Sequence, residues 1–165
     1  MFAVDINDLD NSGVLFFTME NIPEATDARL RRALETTGHR FTEQRAAVYR
    51  FLSSTTSHPN ADEVFQMVRG AVPGISLATV YKSLETLVSC GLAVKLSYSD
   101  GSARYDARVE PHHHARCVTC GSVVDVPGHF SAGELDGLGH GLEGFSVSGY
   151  RLELTGLCTD CMPKA

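Results

Sequence analysis

The chain has 165 residues, enough for one domain or two small ones, and 43% of them are hydrophobic, which suffices for an ordinary core. No run approaches the ~20 consecutive apolar residues of a membrane span, and residues 14–17 are too few and too acidic in their flanks for a secretory signal. We therefore expect a cytoplasmic protein, in which paired cysteines are more often metal ligands than disulfides.

The net charge of −6 looks unsuited to nucleic-acid binding, but it is unevenly distributed. Residues 1–26 carry five acidic side chains and no Lys or Arg, whereas residues 27–104 carry ten Lys and Arg against seven Asp and Glu, a local net charge of +3. A basic segment in an otherwise acidic chain favours a DNA-contacting module. Residues 1–25 are predicted to be an acidic N-terminal extension, and Met19 is an alternative position for the start of translation.

Two helices are predicted in the segment that follows this extension. Leu30 and Leu34 have helix spacing, and Gly38 ends the run. Thr42 can cap the second helix, whose apolar residues extend to Leu52.

Two further helices and a β-hairpin are predicted next. Asn60 and Glu63 form a capping-box pattern that opens the third helix. Ser76 can cap the fourth helix, and Gly91 ends it. Two short strands joined by a tight Asp-Gly turn follow, at residues 92–98 and 103–105. Helices followed by a hairpin indicate a winged helix-turn-helix domain, which we assign to residues 26–104.

The fourth helix is the candidate for DNA recognition. Its exposed face is predicted to offer donors for phosphates or base edges, namely Ser76, Thr79, Tyr81, Lys82 and Ser83. Side chains near the start of the second helix could fix the register on the DNA backbone, namely Arg40, Thr42, Gln44 and Arg45. An ordinary solvated polar face is the alternative interpretation.

The chain changes character after residue 105 and becomes rich in Gly and His. Strands are predicted at residues 123–126 and 150–154, with a short helix between them at residues 134–142. Residues 105–165 are therefore predicted to form a small α/β domain, which makes the whole chain α+β. Because its core is thin, a structural zinc ion is expected to contribute part of its stability.

Four cysteines form two CxxC pairs, Cys117 with Cys120 and Cys158 with Cys161. Each pair brings two sulfurs within reach of one cation, and two pairs complete the tetrahedral thiolate shell that Zn²⁺ prefers. Cys90 stands alone, and we expect it to be a small buried hydrophobe.

A second set of donors surrounds the first cysteine pair. His112, His113 and His114 follow Asp106, and Asp125 lies downstream. Nitrogen and oxygen donors suit Fe²⁺ or Mn²⁺ better than a thiolate shell does. On a strand, His112 and His114 face the same side and His113 faces away. The pattern suggests one metal that holds the fold and another that is sensed.

Taken together, these motifs resemble those of the Fur superfamily of metal-dependent repressors, and most closely its peroxide-sensing PerR branch. The resemblance extends from residue 27 to residue 161. It rests on residues 38–45, 58–62, 78–81, 104–106 and 112–114, and on the two CxxC pairs.

The resemblance implies the roles of particular residues. Structural Zn²⁺ would be bound by Cys117, Cys120, Cys158 and Cys161. The regulatory site for Fe²⁺ or Mn²⁺ would consist of His58, Asp106, His112, His114 and Asp125. Iron sensors usually carry glutamate at the last of these positions, so aspartate there implies peroxide sensing, through oxidation of His58 or His112.

The resemblance also implies a partner and a mode of action. The protein would be a homodimer, formed by the second domain, that represses transcription from an inverted-repeat operator in double-stranded DNA. It would not be an enzyme and would have no small-molecule substrate and no membrane partner. A third metal site of some iron-sensing relatives is expected to be missing, since Ala132, Gly149 and Tyr150 occupy its positions.

Several alternatives remain open at this stage. Within the same family, the chain could be an iron-uptake, manganese or zinc regulator. From a different class, two histidines and a carboxylate could form the facial triad of a non-haem iron enzyme. A thiol redox protein that uses the CxxC pairs is a third possibility, which a tightly held zinc ion would argue against.

Overall fold

The computed structural model describes residues 24–98, 101–128, 143–145 and 152–163. These residues divide into two compact units, a helical unit that ends at Val109 and a strand unit that begins at Glu110. No helix among them is long and apolar enough to cross a membrane. Most of the acidic extension, the helix predicted at residues 134–142 and the positions of the third metal site lie outside the described residues.

The helical unit contains four helices: α1 (Glu24–Thr36), α2 (Glu43–Ser54), α3 (Ala61–Val68) and α4 (Leu77–Ser89). The predicted caps are confirmed. Thr42 and Ser76 each accept a hydrogen bond at 3.2 Å from the backbone N–H three residues further on. Asn60 and Glu63 form a reciprocal capping box, with both bonds at 2.8 Å. These side chains satisfy N–H groups that the first turn of a helix leaves without partners.

Helix α2 is the central helix of the unit, and its buried residues extend around most of its circumference. Leucine and valine side chains of the other helices pack around it, from Leu30 and Leu34 of α1 through Val64 and Val68 of α3 to Val80, Leu84 and Leu87 of α4. Burial of each such side chain stabilises the fold by about 1.5–3 kcal/mol. The packing turns the remaining face of α4 toward solvent.

Strands β1 (Val94–Ser97) and β2 (Ala103–Asp106) pair antiparallel as the predicted hairpin, although each differs slightly from its expected bounds. Gly101 has φ +80°, a left-handed conformation that glycine adopts without steric cost. Tyr105 of β2 is buried, and its hydroxyl donates to Glu85 of α4 at 3.0 Å. The hairpin is therefore fixed to the exposed helix α4 by a specific hydrogen bond.

The strand unit contains β3 (His113–Cys117), β4 (Val123–Val126) and β5 (Glu153–Gly156), in the spatial order β4-β3-β5. β3 pairs antiparallel with β4 and parallel with β5. β4 lies at its predicted position, and among the described residues β5 runs two residues past its predicted end. Cys117 and Val123 are the buried hydrophobic residues in the described part of this unit. The described part therefore has little apolar core.

Candidate metal centres and nucleic-acid surface

Four cysteine sulfurs converge where two parallel strands end. Cys117, the last residue of β3, pairs with Gly156, the last residue of β5. The N–H of Val118 donates to the carbonyl of Gly156 at 2.9 Å, which extends the pairing by one residue. Each CxxC segment begins at or just beyond one of these two strand ends. All four sulfurs consequently lie within 4.8 Å of one another.

The spacing of the sulfurs fits one zinc ion. The sulfurs of Cys120 and Cys158 are 3.7 Å apart. Zn–S bonds of about 2.3 Å in a tetrahedral shell place neighbouring sulfurs about 3.8 Å apart. A disulfide would require about 2.05 Å. The donor chemistry and the geometry therefore agree with a closed, structural zinc site.

The ionisation of the thiols also favours a bound cation. Hydrogen bonds with the backbone of Cys120 and Cys158 lower the pKa of Cys117 to about 6. Side-chain hydrogen bonds with Cys158 and Cys120 raise the pKa of Cys161 to about 12. Clustered thiols oppose each other's ionisation, since a second negative charge nearby is unfavourable. A divalent cation would remove this conflict.

The backbone of the first CxxC segment turns tightly around the site. Gly121 donates its N–H to the carbonyl of Cys117 at 2.9 Å and has φ +71°. This left-handed conformation explains why glycine directly follows the second cysteine. In the second segment, the N–H of Cys161 donates to the carbonyl of Cys158 at 3.0 Å. Both turns direct sulfurs toward one point.

A histidine–carboxylate cluster lies at the start of β3 and on β4 of the strand unit, with His112 just before the first residue of β3. The strand register places His114 opposite Asp125. The Nε2 atoms of His112 and His114 lie 3.2 Å and 3.7 Å from Asp125 Oδ1, and the two rings are 4.4 Å apart. His112 and His114 lie on one side as predicted, although His112 precedes β3, so strand alternation is not what places it. Nδ1 of His112 is 2.7 Å from the carbonyl of Glu110, a contact that orients the ring with Nε2 toward Asp125.

A second histidine–carboxylate pair lies within the helical unit. His58 Nε2 is 3.5 Å from Asp106 Oδ2, and both residues are buried. His58 has φ +50°, the one left-handed non-glycine residue in the described chain. It also precedes Pro59, and a following proline pushes a residue toward extended conformations. Such a conformation costs about 1–3 kcal/mol, so its surroundings must hold it.

The nitrogen and oxygen donors in each unit fit part of a shell around a hard divalent cation. Neighbouring ligands of an octahedral ion with bonds of about 2.1 Å lie about 3 Å apart. The three donor pairs are separated by 3.2–3.7 Å. Imidazole and carboxylate donors without thiolate suit Fe²⁺ or Mn²⁺.

The proposed DNA-contacting side chains differ in exposure. Arg40 and Lys82 are exposed, and Tyr81 is 45% exposed. The prediction that Ser83 lies on the exposed face is wrong, because it is 3% exposed and donates to the carbonyl of Thr79 at 2.8 Å. A serine in a helix interior can satisfy its hydroxyl in this way and be buried.

Other predicted DNA contacts also have structural roles. Thr42 and Ser76 cap their helices, and the hydroxyl of Ser76 contacts that of half-buried Thr79 at 2.9 Å. Arg45 Nη1 donates to the carbonyl of Arg40.

Cys90, expected to be buried, is half-buried, and its sulfur is 3.0 Å from the Thr37 hydroxyl.

Sequence reasoning gave no individual role to two residues that connect distant parts of the helical unit. Glu85 of α4 accepts hydrogen bonds from Tyr105 and from Lys95 of β1, and the Lys95 ammonium is the main reason that the pKa of Glu85 lies below its usual value. Arg104 of β2 donates to the carbonyl of His58. The partners are far apart in the sequence, so spacing gave no signal for Glu85. Arg104 is part of the motif at residues 104–106, and its alternation with Asp106 along a strand could have indicated that both face the same side.

Helices that end in a β-hairpin, joined to strands that carry clustered thiols and imidazoles, define a metal-binding protein of mixed helix and strand structure. Comparison with known families assigns the chain more specifically. The sequence matches the ferric uptake regulator family over residues 36–154. The chain belongs to the ferric uptake regulator family.

Two relatives from this family are similar to the chain in sequence, and one solved structure shares its fold. It is 40% identical over 139 residues to the peroxide operon regulator of Bacillus subtilis, covering 82% of this chain and 94% of that protein. It is 35% identical over 147 residues to the peroxide-responsive repressor PerR of Staphylococcus aureus, covering 89% and 96%. The ferric uptake regulator of Helicobacter pylori has a similar fold, with a TM-score of 0.72, 20% identity and coverage of 88% and 99%.

Proposed function

We propose that the chain is a metal-dependent transcriptional repressor that senses peroxide through an Fe²⁺ or Mn²⁺ site. The observation that carries this proposal is the cluster of His112, His114 and Asp125, an N/O donor set separate from the four thiols. The identity to two peroxide-responsive regulators supports it.

The DNA-binding part would be a winged helix-turn-helix formed by residues 26–104, with α4 as the recognition helix. Exposed Tyr81 and Lys82 of α4 can reach base edges and phosphates of a major groove. The proposed contact residues are Arg40, Thr42, Arg45, Ser76, Thr79, Tyr81 and Lys82. The local charge of +3 over residues 27–104 supports this assignment in a chain that is otherwise acidic.

One regulatory metal ion would be held by ligands from both units. The proposed ligands are His58, Asp106, His112, His114 and Asp125. Two carboxylates balance the charge of a divalent ion, which reduces the cost of burying it. A metal that binds one arrangement of the units better than others shifts the population toward it, and the DNA-binding form would be that arrangement.

Peroxide sensing would follow from the redox chemistry of the ion. Fe²⁺, unlike Mn²⁺, can reduce peroxide and so supply an oxidant beside its ligands. Oxidation of His58 or His112 would convert an imidazole nitrogen donor into a poorer ligand. Loss of one ligand would weaken metal binding and with it DNA affinity, because the two are thermodynamically linked.

The strand unit, within residues 105–165, would form a homodimer held together by apolar contacts. Large hydrophobic side chains are exposed on its described surface, namely Val118, Val124, Phe145, Leu154, Leu157 and Met162. These side chains are the proposed interaction surface, and a second copy of the chain is its proposed occupant. A two-fold dimer would read an inverted-repeat operator.

The proposal is tested by selecting DNA from a random duplex library with the zinc-loaded protein. We expect an inverted repeat to be enriched when Mn²⁺ is present and not when a mild chelator removes Mn²⁺ while sparing the thiolate-bound zinc. The selected duplex then serves to measure affinity at several Mn²⁺ concentrations. Equal enrichment with and without Mn²⁺ would contradict metal dependence, and no enrichment in either arm would contradict DNA recognition.

A further inference from the structure

Three consecutive residues of strand β2 contact the loop that carries His58. Arg104 Nη1 donates to the carbonyl of His58 at 3.0 Å. The N–H of Tyr105 donates to the carbonyl of Pro59 at 3.0 Å. Asp106 Oδ2 lies 3.5 Å from the imidazole Nε2 of His58. One strand therefore holds the backbone of this loop through hydrogen bonds and places a carboxylate beside the ring of this histidine.

The guanidinium of Arg104 is itself fixed in place. Its side chain is only 13% exposed, and Nη1 also donates to Glu63 Oε2 at 3.1 Å. The same carboxylate oxygen accepts the N–H of Asn60 at 2.8 Å. Hydrogen bonds between charged groups are stronger than neutral ones, so this junction is well suited to fix a loop. This junction connects β2 to the first turn of α3, the helix that directly follows the loop containing His58.

The contact from Arg104 falls at the point where the backbone is strained. His58 has φ +50°, and the proline that follows it favours extended conformations. Nothing in the local sequence selects the left-handed conformation. The hydrogen bond from the charged guanidinium to the His58 carbonyl is a physical reason for this conformation to persist. Residues in strained conformations persist only where several contacts hold them in place.

We propose that Arg104 is a positioning residue for the regulatory metal. It holds His58 in the left-handed conformation, so that the imidazole is at the ligand position before a metal ion binds. This inference rests on the proposed function, because it takes His58 as a ligand of the regulatory site. Preorganisation raises affinity because the cost of ordering the loop is not incurred on binding.

Electrostatics alone predicts the opposite effect of removing this arginine. A guanidinium near a divalent cation repels it, so deletion of the positive charge would tighten metal binding. A positioning role predicts weaker binding, since the imidazole would leave the ligand position. The direction of the change therefore distinguishes the two roles.

The test uses the full-length, zinc-loaded chain with Arg104→Met, which keeps most of the side-chain stem. We expect Mn²⁺ affinity, measured from the electron paramagnetic resonance signal of free Mn²⁺, to fall by about 10–100-fold. Zinc content stays unchanged, and DNA affinity recovers at saturating Mn²⁺. In the Mn²⁺-free protein, the amides of Asn60 and Tyr105 exchange with solvent faster, because the loop is no longer held.

Arg50→Met is the matched control. The Arg50 side chain is also 13% exposed and is paired with Asp27 of α1, so its loss removes a comparable ion pair at a different place. We expect lower thermal stability and unchanged Mn²⁺ affinity. Arg104→Lys keeps the positive charge and an ammonium group that can donate hydrogen bonds. It should therefore retain part of the Mn²⁺ affinity that Arg104→Met loses. It also provides a second variant if Arg104→Met does not fold.

A His58→Ala variant separates failure of this inference from failure of the proposed function. If His58→Ala loses Mn²⁺ affinity while both Arg104 variants bind as tightly as the wild type, the positioning role is wrong and the ligand set stands. If His58→Ala binds Mn²⁺ as the wild type does, the proposed ligand set is wrong and the positioning role falls with it.

Discussion

Replacing Cys158 by serine is expected to abolish zinc binding and to unfold the strand unit. The described part of this unit buries few hydrophobic side chains, namely Cys117 and Val123, so apolar burial there contributes little to stability. Structural zinc contributes on the order of 10 kcal/mol to the folding of small metal-dependent domains. Loss of one thiolate removes most of that contribution. Zinc content should fall from about one per chain to near zero, and the β-sheet signal should fall with it.

Cys90→Ser is the matched control for this change. Cys90 lies at the end of α4, where its sulfur contacts the hydroxyl of Thr37. The same chemical substitution there should leave about one zinc per chain and a nearly unchanged melting curve. A Cys158→Ser protein that retained one zinc ion and the wild-type melting temperature would contradict a structural tetrathiolate site.

Replacing His112 or Asp125 by alanine is expected to abolish the effect of Mn²⁺ on DNA affinity. Nε2 of His112, the residue just before β3, lies 3.2 Å from Asp125 Oδ1 of β4, so each would be a ligand of the same ion. Binding of a regulatory ligand typically changes the affinity at a second site by a factor of about 5–150. In both variants, the factor by which Mn²⁺ raises DNA affinity should approach 1. Fluorescence anisotropy with the selected duplex, at increasing Mn²⁺ concentration, measures it.

His113→Ala provides the control for those variants. His113 lies between the two candidate ligands, on the opposite face of β3 by strand alternation. It should retain the full response to Mn²⁺. All three variants should keep one zinc ion per chain, which shows that the strand unit is folded. A His112→Ala protein whose DNA affinity still rose with Mn²⁺ would remove His112 from the regulatory site.

Much of the helical unit could be predicted because its signals are local. Caps such as Thr42, Ser76 and the Asn60–Glu63 pair act over three residues, and the structure has them where the sequence indicates. Ser83 was misjudged because helix spacing alone does not tell which side of a helix the rest of the unit covers. The left-handed conformation of His58 was not predictable, since it depends on contacts from a strand more than forty residues away.

The metal-binding donors were predictable in type and not in arrangement. The CxxC spacing and the alternation of His112 and His114 are short-range patterns with a chemical meaning. That β3 and β5 run parallel, so that both cysteine pairs meet at one edge, depends on a pairing between residues far apart in the chain. The assignment of His58 came from resemblance, because a single histidine before a proline carries no metal-binding signal.

The most direct test of the account compares the Fe²⁺ and Mn²⁺ forms, each bound to the selected duplex, after a low dose of hydrogen peroxide. The account predicts that the Fe²⁺ form releases DNA and that a peptide containing His58 or His112 gains the mass of one oxygen atom, while the Mn²⁺ form keeps both its DNA and its mass. Retention of DNA by both forms, with no oxygen added to either histidine, would contradict peroxide sensing and leave metal concentration as the signal.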